Sequence, residues 1–314
     1  MNKRVWIGAL ACLAWVGAVR AEQALRIGTG MPGAADHPVG GAMAEVISKS
    51  GKLTAKALAS LGSVTNVKGL VNNHLDSALV HADVATWAQQ GTQLFEGKAV
   101  PGLRLVANLY PVNVTLVARK GLGLRTPADL KGKRVGLGGP GSATLTDARL
   151  ILGAYGLKES DLQAELAPAS KTIDKLGDGS LDALFVVGDL PAADISSLVL
   201  KGVALELVPI AGAKADALRK THPYFVPNTV AAGTFKGVGS AKTLAVNMQW
   251  VALETLDANT AYEATRAVFS PAGLKAVAAS AGGGPISGKN AVTGATVAFH
   301  PGAQKFYREA GLLK

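Results

Sequence analysis

The chain has very few of the residues on which several classes of function depend. Its single cysteine, Cys12, lies in an apolar segment at the start of the chain, so the remainder has neither a disulfide nor a thiol nucleophile. Aromatic residues make up only 5% of the 314 positions, which disfavours the ring surfaces that often stack on sugars in glycoside hydrolases. The net charge is +10, yet Lys and Arg form no run, which disfavours nucleic-acid binding.

The one clearly apolar run is at the start of the chain. Lys3 and Arg4 precede apolar residues 5–19, and the sequence Val-Arg-Ala follows, as is typical of a secretory signal peptide. We predict that residues 1–21 are this signal and that the protein is periplasmic. Without the signal, the remaining 29 basic and 22 acidic residues give a net charge of +7. A lipoprotein signal at Cys12 is the alternative.

Short β-rich runs alternate with helical patterns, and the alternation begins again halfway along the chain. This pattern indicates α/β units with largely parallel strands. We predict one lobe over residues 22–111, a second lobe over 112–255, and helices in 256–314 that pack back on the first lobe. The long apolar stretch 103–121 contains Pro111, which we expect to end one strand before a second begins at the crossover. Two such lobes enclose a ligand cleft.

A glycine-rich turn follows a predicted strand in each lobe. Residues 25–33 read LRIGTGMPG and residues 134–144 read RVGLGGPGSAT, and both satisfy the G-x-G-x-x-G pattern of dinucleotide-binding folds. A dinucleotide site also needs an acid about 20 residues further on, and the second strand of the first lobe ends in LTAKALAS without one. A P-loop needs Lys after its last glycine, where this chain has Ser142. Both nucleotide sites are therefore disfavoured.

The same turns are suited to binding anions. A turn that leads into a helix presents free backbone N–H groups at the positive end of the helix dipole. Thr29 adds a hydroxyl group in the first turn, and Ser142 and Thr144 add two in the second. We predict that each lobe contributes one oxyanion-binding turn. The alternative is that the glycines only permit tight strand-to-helix connections.

Several segments, spread over nearly the whole chain, carry a resemblance to a known family. The chain resembles the TAXI group of substrate-binding proteins, which serve tripartite ATP-independent periplasmic (TRAP) transporters. The resemblance implies a two-lobed, type II periplasmic-binding-protein-like fold that closes on a small anionic solute, commonly a carboxylate or acidic amino acid, and delivers it to a membrane permease. We predict a monomer that is not an enzyme and has no cofactor, since the sequence contains no G-x-S-x-G nucleophile motif. The matching segments are IGTGMPGAADHPVGGAMAEVI, LGSVTNVKGL, LRLVANLYP, DLKGKRVGLGGPGSAT, GDGSLDALFVVG and HPGAQKFYREAGL.

The resemblance also implies which residues bind the ligand. Where the motifs match, the implied residues are Thr29, Gly30, Gly33, Gly62, Ser63 and Asn66 in the first lobe, and Gly141, Ser142, Thr144 and Gly188 in the second.

The chain departs from the family at two places in the first lobe. Asp36 and His37 stand where the family usually has a tyrosine pair, and His81, followed by Asp83, stands where a glutamine is common. We include Asp36, His37 and His81 among the predicted ligand contacts. Three roles stay open for these groups: helix cap or surface residue, contact with an organic ligand, or metal ligand. An exported enzyme acting on a small acid and a sensor subunit are the alternative functions.

Overall fold

The computed structural model describes residues 24–280 and 286–314. The predicted signal peptide lies outside the described residues. Within the described ranges, no helix is both long and apolar enough to cross a membrane.

The described residues form ten strands in one sheet. The strands are β1 (Leu25–Gly28), β2 (Ala55–Leu58), β3 (Ser77–His81), β4 (Leu103–Arg119), β5 (Arg134–Gly136), β6 (Gln163–Glu165), β7 (Ala183–Gly188), β8 (Leu205–Val208), β9 (Phe225–Val230) and β10 (Ala241–Leu253). The helices are α1 (Asp36–Lys49), α2 (Ser63–Val71), α3 (Ala82–Gln90), α4 (Ala143–Ala154), α5 (Ala169–Asp178), α6 (Ala193–Leu200), α7 (Ala213–Thr221), α8 (Ala258–Val268), α9 (Pro271–Ser280), α10 (Gly288–Val292) and α11 (Pro301–Glu309).

The sheet has two similar halves. Its strand order is β2-β1-β3-β10-β4-β7-β5-β6, so that a parallel three-stranded unit stands on each side of the β10–β4 pair. The first unit runs β1-α1-β2-α2-β3 and the second runs β5-α4-β6-α5-β7. We call these the first and second halves. The carboxyl ends of parallel strands meet at one edge of a sheet, so the loops after β1 and β3, and those after β5 and β7, share an edge in each half.

An equivalent ion pair holds each half together. Arg26 of β1 donates from its backbone N–H (2.7 Å) and Nε (2.9 Å) to Oδ2 of Asp76, just before β3. Arg134 of β5 donates in the same way (2.8 and 3.1 Å) to Oδ2 of Asp182, just before β7. Each pair ties the beginning of the central strand to the beginning of its neighbour. Hydrogen bonds to a charged partner are stronger than neutral ones.

Two long strands connect the halves. β3 pairs with residues 248–252 of β10, β9 pairs with residues 241–246 of the same strand, and β7 pairs with β4 from residue 113 onward. Among the described strands, only β4 and β10 therefore pair at the row formed by Pro111 and Asn247. The predicted strand break at Pro111 is wrong, because β4 is continuous over 17 residues. Proline is tolerated here since β4 has a neighbour on one side only at this row.

The last helices pack against the first half. α8 and α9 contact α1, and α11 contacts both α8 and β4. A close approach requires Gly302 at the start of α11, since a Cβ atom there would lie 2.0 Å from the Ala258 carbonyl oxygen. The positions of the lobe boundaries remain predictions.

Candidate functional site

The turn after β1 contains a carboxylate of the protein itself. Asp36 is the first residue of α1, and its side chain is buried. A Cβ atom on Gly30 would lie 2.4 Å from Asp36 Oδ1, so only glycine leaves room for the carboxylate at this point. The N–H groups of Gly30 and Asp36 favour the charged form, but burial is the larger effect and raises the pKa of Asp36 above its ordinary value. The Asp36 carboxylate therefore lies against the turn that we predict to bind an anion.

Most of the other predicted groups at this turn are engaged in contacts within the first half. Thr29 is fully buried, and its Oγ1 lies 2.9 Å from Nδ1 of His37. The Thr29 carbonyl oxygen accepts from Ser60 Oγ (2.8 Å) and Asn66 Nδ2 (3.3 Å). Gly33 is exposed and has a φ of +96°, in the region that favours glycine. These contacts fix the shape of the turn.

The beginning of α2 is attached to the end of β3. Gly62 precedes α2 with a φ of +98°, and Ser63 Oγ accepts from the backbone N–H of His81 (3.0 Å). Asn66 is fully buried and donates from Nδ2 to the Leu79 carbonyl oxygen (2.8 Å). These hydrogen bonds hold His81 at the edge of the sheet, where its charge acts to lower the pKa of Asp36.

A tyrosine that the sequence did not single out lies in the same row as His81. Tyr110 of β4 and His81 of β3 are both in register with Met248 of β10, so the three side chains share one face of the sheet. Tyr110 is 2% exposed, and its hydroxyl group has no hydrogen-bond partner among the described residues. Burial is the main cause that raises the pKa of Tyr110, and the charges of Asp189 and Asp36 add to it.

Asp189, a residue of the second half, lies near Tyr110, His81 and Asp36. It follows Gly188, which ends β7 and pairs with Asn113 of β4. Burial, together with the Asp36 charge, raises the pKa of Asp189 to about 6, against the opposite effect of His81. Its buried Oδ1 has no hydrogen-bond partner within the described ranges. The sequence feature that could have identified Asp189 is its position directly after a predicted strand, next to Gly188, which is one of the predicted ligand residues.

These interactions define one group, which we call the cleft cluster: Asp36 and His81 from the first half, Tyr110 from β4, and Asp189 from the second half. The cluster lies beside the two-stranded row of Pro111 and Asn247, since Tyr110 directly precedes Pro111. In the described part of the chain, no three His, Cys, Asp or Glu side chains converge closely enough to hold a metal ion.

The turn after β5 differs from the turn after β1. Ser142 caps α4, because its Oγ accepts from the Leu145 N–H (3.2 Å). Gly141 is exposed with a φ of +75°, and Thr144 is half-buried in the first turn of the helix. No acidic residue lies in that first turn. No hydrogen bond joins this turn to the cleft cluster within the described residues, so Gly141, Ser142 and Thr144 do not converge with the predicted residues of the first half, whereas Gly188 directly precedes Asp189 of the cluster.

Asp83 lies in another buried contact between the halves. It belongs to α3, and its carboxyl group lies close to that of Asp147 on α4. None of the four carboxyl oxygens has a hydrogen-bond donor within the described ranges, so a hydrogen bond between the two groups would need a proton on one of them. Burial and the Asp83 charge raise the pKa of Asp147 well above its ordinary value. Close by, Trp87 Nε1 donates to the Tyr224 hydroxyl oxygen (3.0 Å).

Two surface cavities of about 570 Å³ each lie elsewhere. One lies between α7, β9 and β10, and the other between α1, α8 and α9, and neither includes a predicted ligand residue. Their charged groups are largely paired, as in Arg219 with Asp216 (3.1 Å) and Arg266 with Glu263 (2.5 Å). Arg219 Nε in the first cavity is buried without a hydrogen-bond partner among the described residues. The cleft cluster has two such atoms, one on β4 and one directly after β7, and is the stronger candidate.

Solved structures of the same fold are known. PhnD1 from Prochlorococcus marinus, solved in complex with methylphosphonate, is 14% identical; the match covers 92% of this chain and 99% of that chain, with a TM-score of 0.53. A protein from Bordetella bronchiseptica RB50 is 18% identical, over 81% of this chain and 71% of that chain, with a TM-score of 0.51. The periplasmic aliphatic sulphonate binding protein SsuA from Escherichia coli is 16% identical, over 84% and 80%, with a TM-score of 0.47.

These likenesses show the fold alone. The two likenesses with TM-scores above 0.5, to PhnD1 and to the Bordetella bronchiseptica protein, confirm the prediction of an α/β, two-lobed periplasmic-binding-protein fold. The sequence adds the family, since the model of the NMT1-like family matches residues 27–311 and so covers nearly all of the described residues. The chain therefore belongs to the NMT1-like family.

Proposed function

We propose that this protein is an extracytoplasmic solute-binding protein that captures a small solute between its two lobes and delivers it to a membrane transporter. The observation that carries this proposal is the cleft cluster. Polar groups from both halves meet there, and two of their buried atoms, Tyr110 Oη and Asp189 Oδ1, have no partner among the described residues. Leaving a polar atom buried and unpartnered costs about 1–3 kcal/mol, and a ligand that pairs with both atoms removes that cost.

The position of the cluster supports capture by lobe closure. Hinged proteins bind ligand between two bodies, and the ligand stabilises the closed arrangement because it contacts both. Asp36 and Asp189 belong to different halves, and the negative charge of Asp36 raises the pKa of Asp189. A ligand bound between these two side chains therefore contacts both halves. The fold shared with PhnD1, solved with methylphosphonate, agrees with such a role.

The finer part of the proposal rests on the resemblance to the TAXI group. It favours a solute that bears a carboxylate, such as an acidic amino acid, and a TRAP transporter as the membrane partner. The turn after β5 supports the carboxylate, because the N-terminus of α4 attracts negative charge and has no acid of its own in its first turn. The predicted signal peptide supports a periplasmic location.

A thermal-shift screen of the exported protein tests the binding role. The panel contains small carboxylates, amino acids, sugars, amines and divalent metals, and a ligand at 100 times its Kd adds about 2.7 kcal/mol of stability. We expect a selective shift with one chemical class, with a calorimetric stoichiometry of one and recovery of the ligand unchanged. Conversion of the ligand would replace the binding role with an enzymatic one, and no shift with any member of the panel would contradict it.

Uptake into membrane vesicles tests the transporter. With the binding protein added outside, we expect accumulation of the solute without ATP. A strict requirement for ATP would overturn the TRAP part of the proposal and leave the binding role intact.

A further inference from the structure

The cleft cluster is acidic, and this constrains its ligand. Asp36 and Asp189 are carboxyl groups from opposite halves, and each is largely withdrawn from water. The charges that act most strongly on Asp36, Asp189 and Tyr110 come from two histidines and from the carboxyl groups themselves, and none comes from Lys or Arg. A purely anionic ligand would meet two like charges and no strong cation here.

The unpartnered atoms specify a hydrogen-bond pattern. Asp189 Oδ1, when ionised, can only accept, and Tyr110 Oη can both accept and donate. A ligand that satisfies both must therefore present hydrogen-bond donors. An ammonium group has three donors and a positive charge, so one such group can donate to Asp189 Oδ1 and to Tyr110 Oη and carries the charge opposite to that of the two carboxylates.

The spacing of the acids disfavours an inorganic cation. Within the described residues these groups do not converge on one point as metal ligands do. An ammonium nitrogen makes longer contacts, about 2.8 Å to each oxygen, than the roughly 2.0–2.6 Å that Mg²⁺ and Ca²⁺ require, and it needs fewer protein ligands. The spacing of Asp36 and Asp189 therefore restricts it less than it restricts a metal ion.

We propose that the solute of this protein carries an ammonium group, bound between Asp36 and Asp189 with its remaining hydrogen bond to Tyr110. The inference rests on the proposed solute-binding function and narrows its ligand class. Simple mono- and dicarboxylates are then excluded, and an amino acid is retained because it carries an ammonium group.

Matched ligand pairs that differ in the ammonium group test this directly. Calorimetry at pH 7.5 compares L-glutamate with glutarate, and 1,4-diaminobutane with butane-1,4-diol. We expect at least one ammonium-bearing member to bind, and its partner to bind at least about tenfold more weakly.

Three variants locate the effect. Asp36→Asn and Asp189→Asn each remove a negative charge at nearly constant size, and we expect each to weaken binding at least about tenfold. Asp174→Asn is the control, because Asp174 is exposed on α5 and in no ion pair of the described residues. It should bind as the native protein does, and circular dichroism checks that all three variants fold.

Proton linkage supplies a readout on the unmodified protein. At pH 6, near the pKa of Asp189, a bound cation stabilises the ionised form of this carboxyl group, so binding must release protons. A bound anion would do the opposite and take protons up. Calorimetry in two buffers of different ionisation enthalpy gives the sign.

Each outcome bears on a different proposal. Equal or tighter binding of glutarate, with proton uptake and with unchanged affinity in Asp189→Asn, would overturn the ammonium inference and keep the solute-binding function. Absence of binding by both pairs and by the whole thermal-shift panel would overturn both.

Discussion

The two halves have the same construction and the same Arg–Asp pair, but their glycine-rich turns differ. In the first half, the turn holds the buried carboxylate of Asp36. In the second, Ser142 caps the helix with a hydroxyl group and the first turn of α4 has no acid. The same backbone arrangement therefore holds a carboxylate at the turn of the first half, whereas in the second half it leaves the positive end of the α4 dipole without an acid of its own.

This difference teaches that an anion-binding turn cannot be assigned from its glycines alone. The same N–H groups stabilise any carboxylate, whether it belongs to a ligand or to the chain. An internal acid reverses the charge of the site, and the solute it selects changes accordingly.

The largest expected effect concerns the feature that the halves share. Asp76→Ala and Asp182→Ala each remove charged hydrogen bonds from an arginine and from its backbone N–H. We expect losses of about 3 and about 2 kcal/mol in the free energy of unfolding at pH 7, the former larger because Arg26 (17% exposed) is less able than Arg134 (41%) to find water. Urea denaturation measures both.

The pH dependence checks the cause of this loss. Arg26 and Arg134 lower the pKa of Asp76 and Asp182. This stabilisation is present above the ordinary pKa of aspartate and is lost as pH falls through the lowered value. The variants should therefore approach the native protein as the pH falls below the ordinary pKa of aspartate and through the lowered values. Glu45→Ala, which breaks the exposed pair with Lys49, is the control and should not change stability measurably. A gap that persists in acid would point to packing instead.

Much of the fold could be predicted from the sequence, because its strands and helices alternate with clear hydrophobic periods and Arg134 begins a second unit like the first. The cleft cluster could not. Tyr110 and Asp189 are 79 positions apart in the printed sequence, and only the pairing of β4 with β7 brings them near each other. Asp83 was grouped with His81 by proximity in sequence, whereas its partner Asp147 lies on the other half. Asp36 stood out as a departure, but the reason, its fit against Gly30, needs coordinates.

A second expected effect concerns the contact that joins the halves. Asp147→Asn replaces a carboxyl group, which can donate to Asp83 only when it is protonated, with an amide group, which can donate at any pH. The pKa of Asp147 is raised in the native protein. Between the ordinary pKa of aspartate and this raised value, the native protein binds more protons than the unfolded chain, so its stability falls as the pH rises through that range. We expect the variant to be more stable than the native protein at pH 8, by about 1–3 kcal/mol, and to have a flatter pH dependence.

Urea denaturation at pH 5 and pH 8 measures this effect. Asp147→Ala serves as the comparison, because it leaves Asp83 buried without a donor and should lower stability at both pH values. If the free energy of unfolding of Asp147→Asn changed with pH as much as that of the native protein, protonation of Asp147 would not be the cause of the pH dependence.

The smallest expected effect sharpens the contrast between the turns. Ser142→Ala removes the cap of α4 and should lower the free energy of unfolding by about 1 kcal/mol, whereas Ser142→Thr keeps an oxygen at the cap and should lower it less. Urea denaturation measures both variants. Equal losses would show that the hydroxyl group does not act as a cap.

The row of Pro111 and Asn247 sets where movement would be smallest in the proposed lobe closure. Rotation of one half against the other would concentrate where the sheet is narrowest, and each group would move by the angle multiplied by its distance from that axis. Tyr110, one residue away, would stay almost still, while outer helices such as α2 and α5 would move much further. In the proposed mechanism the tyrosine is then a stationary contact for the solute, and Asp36 and Asp189 move towards it on closure.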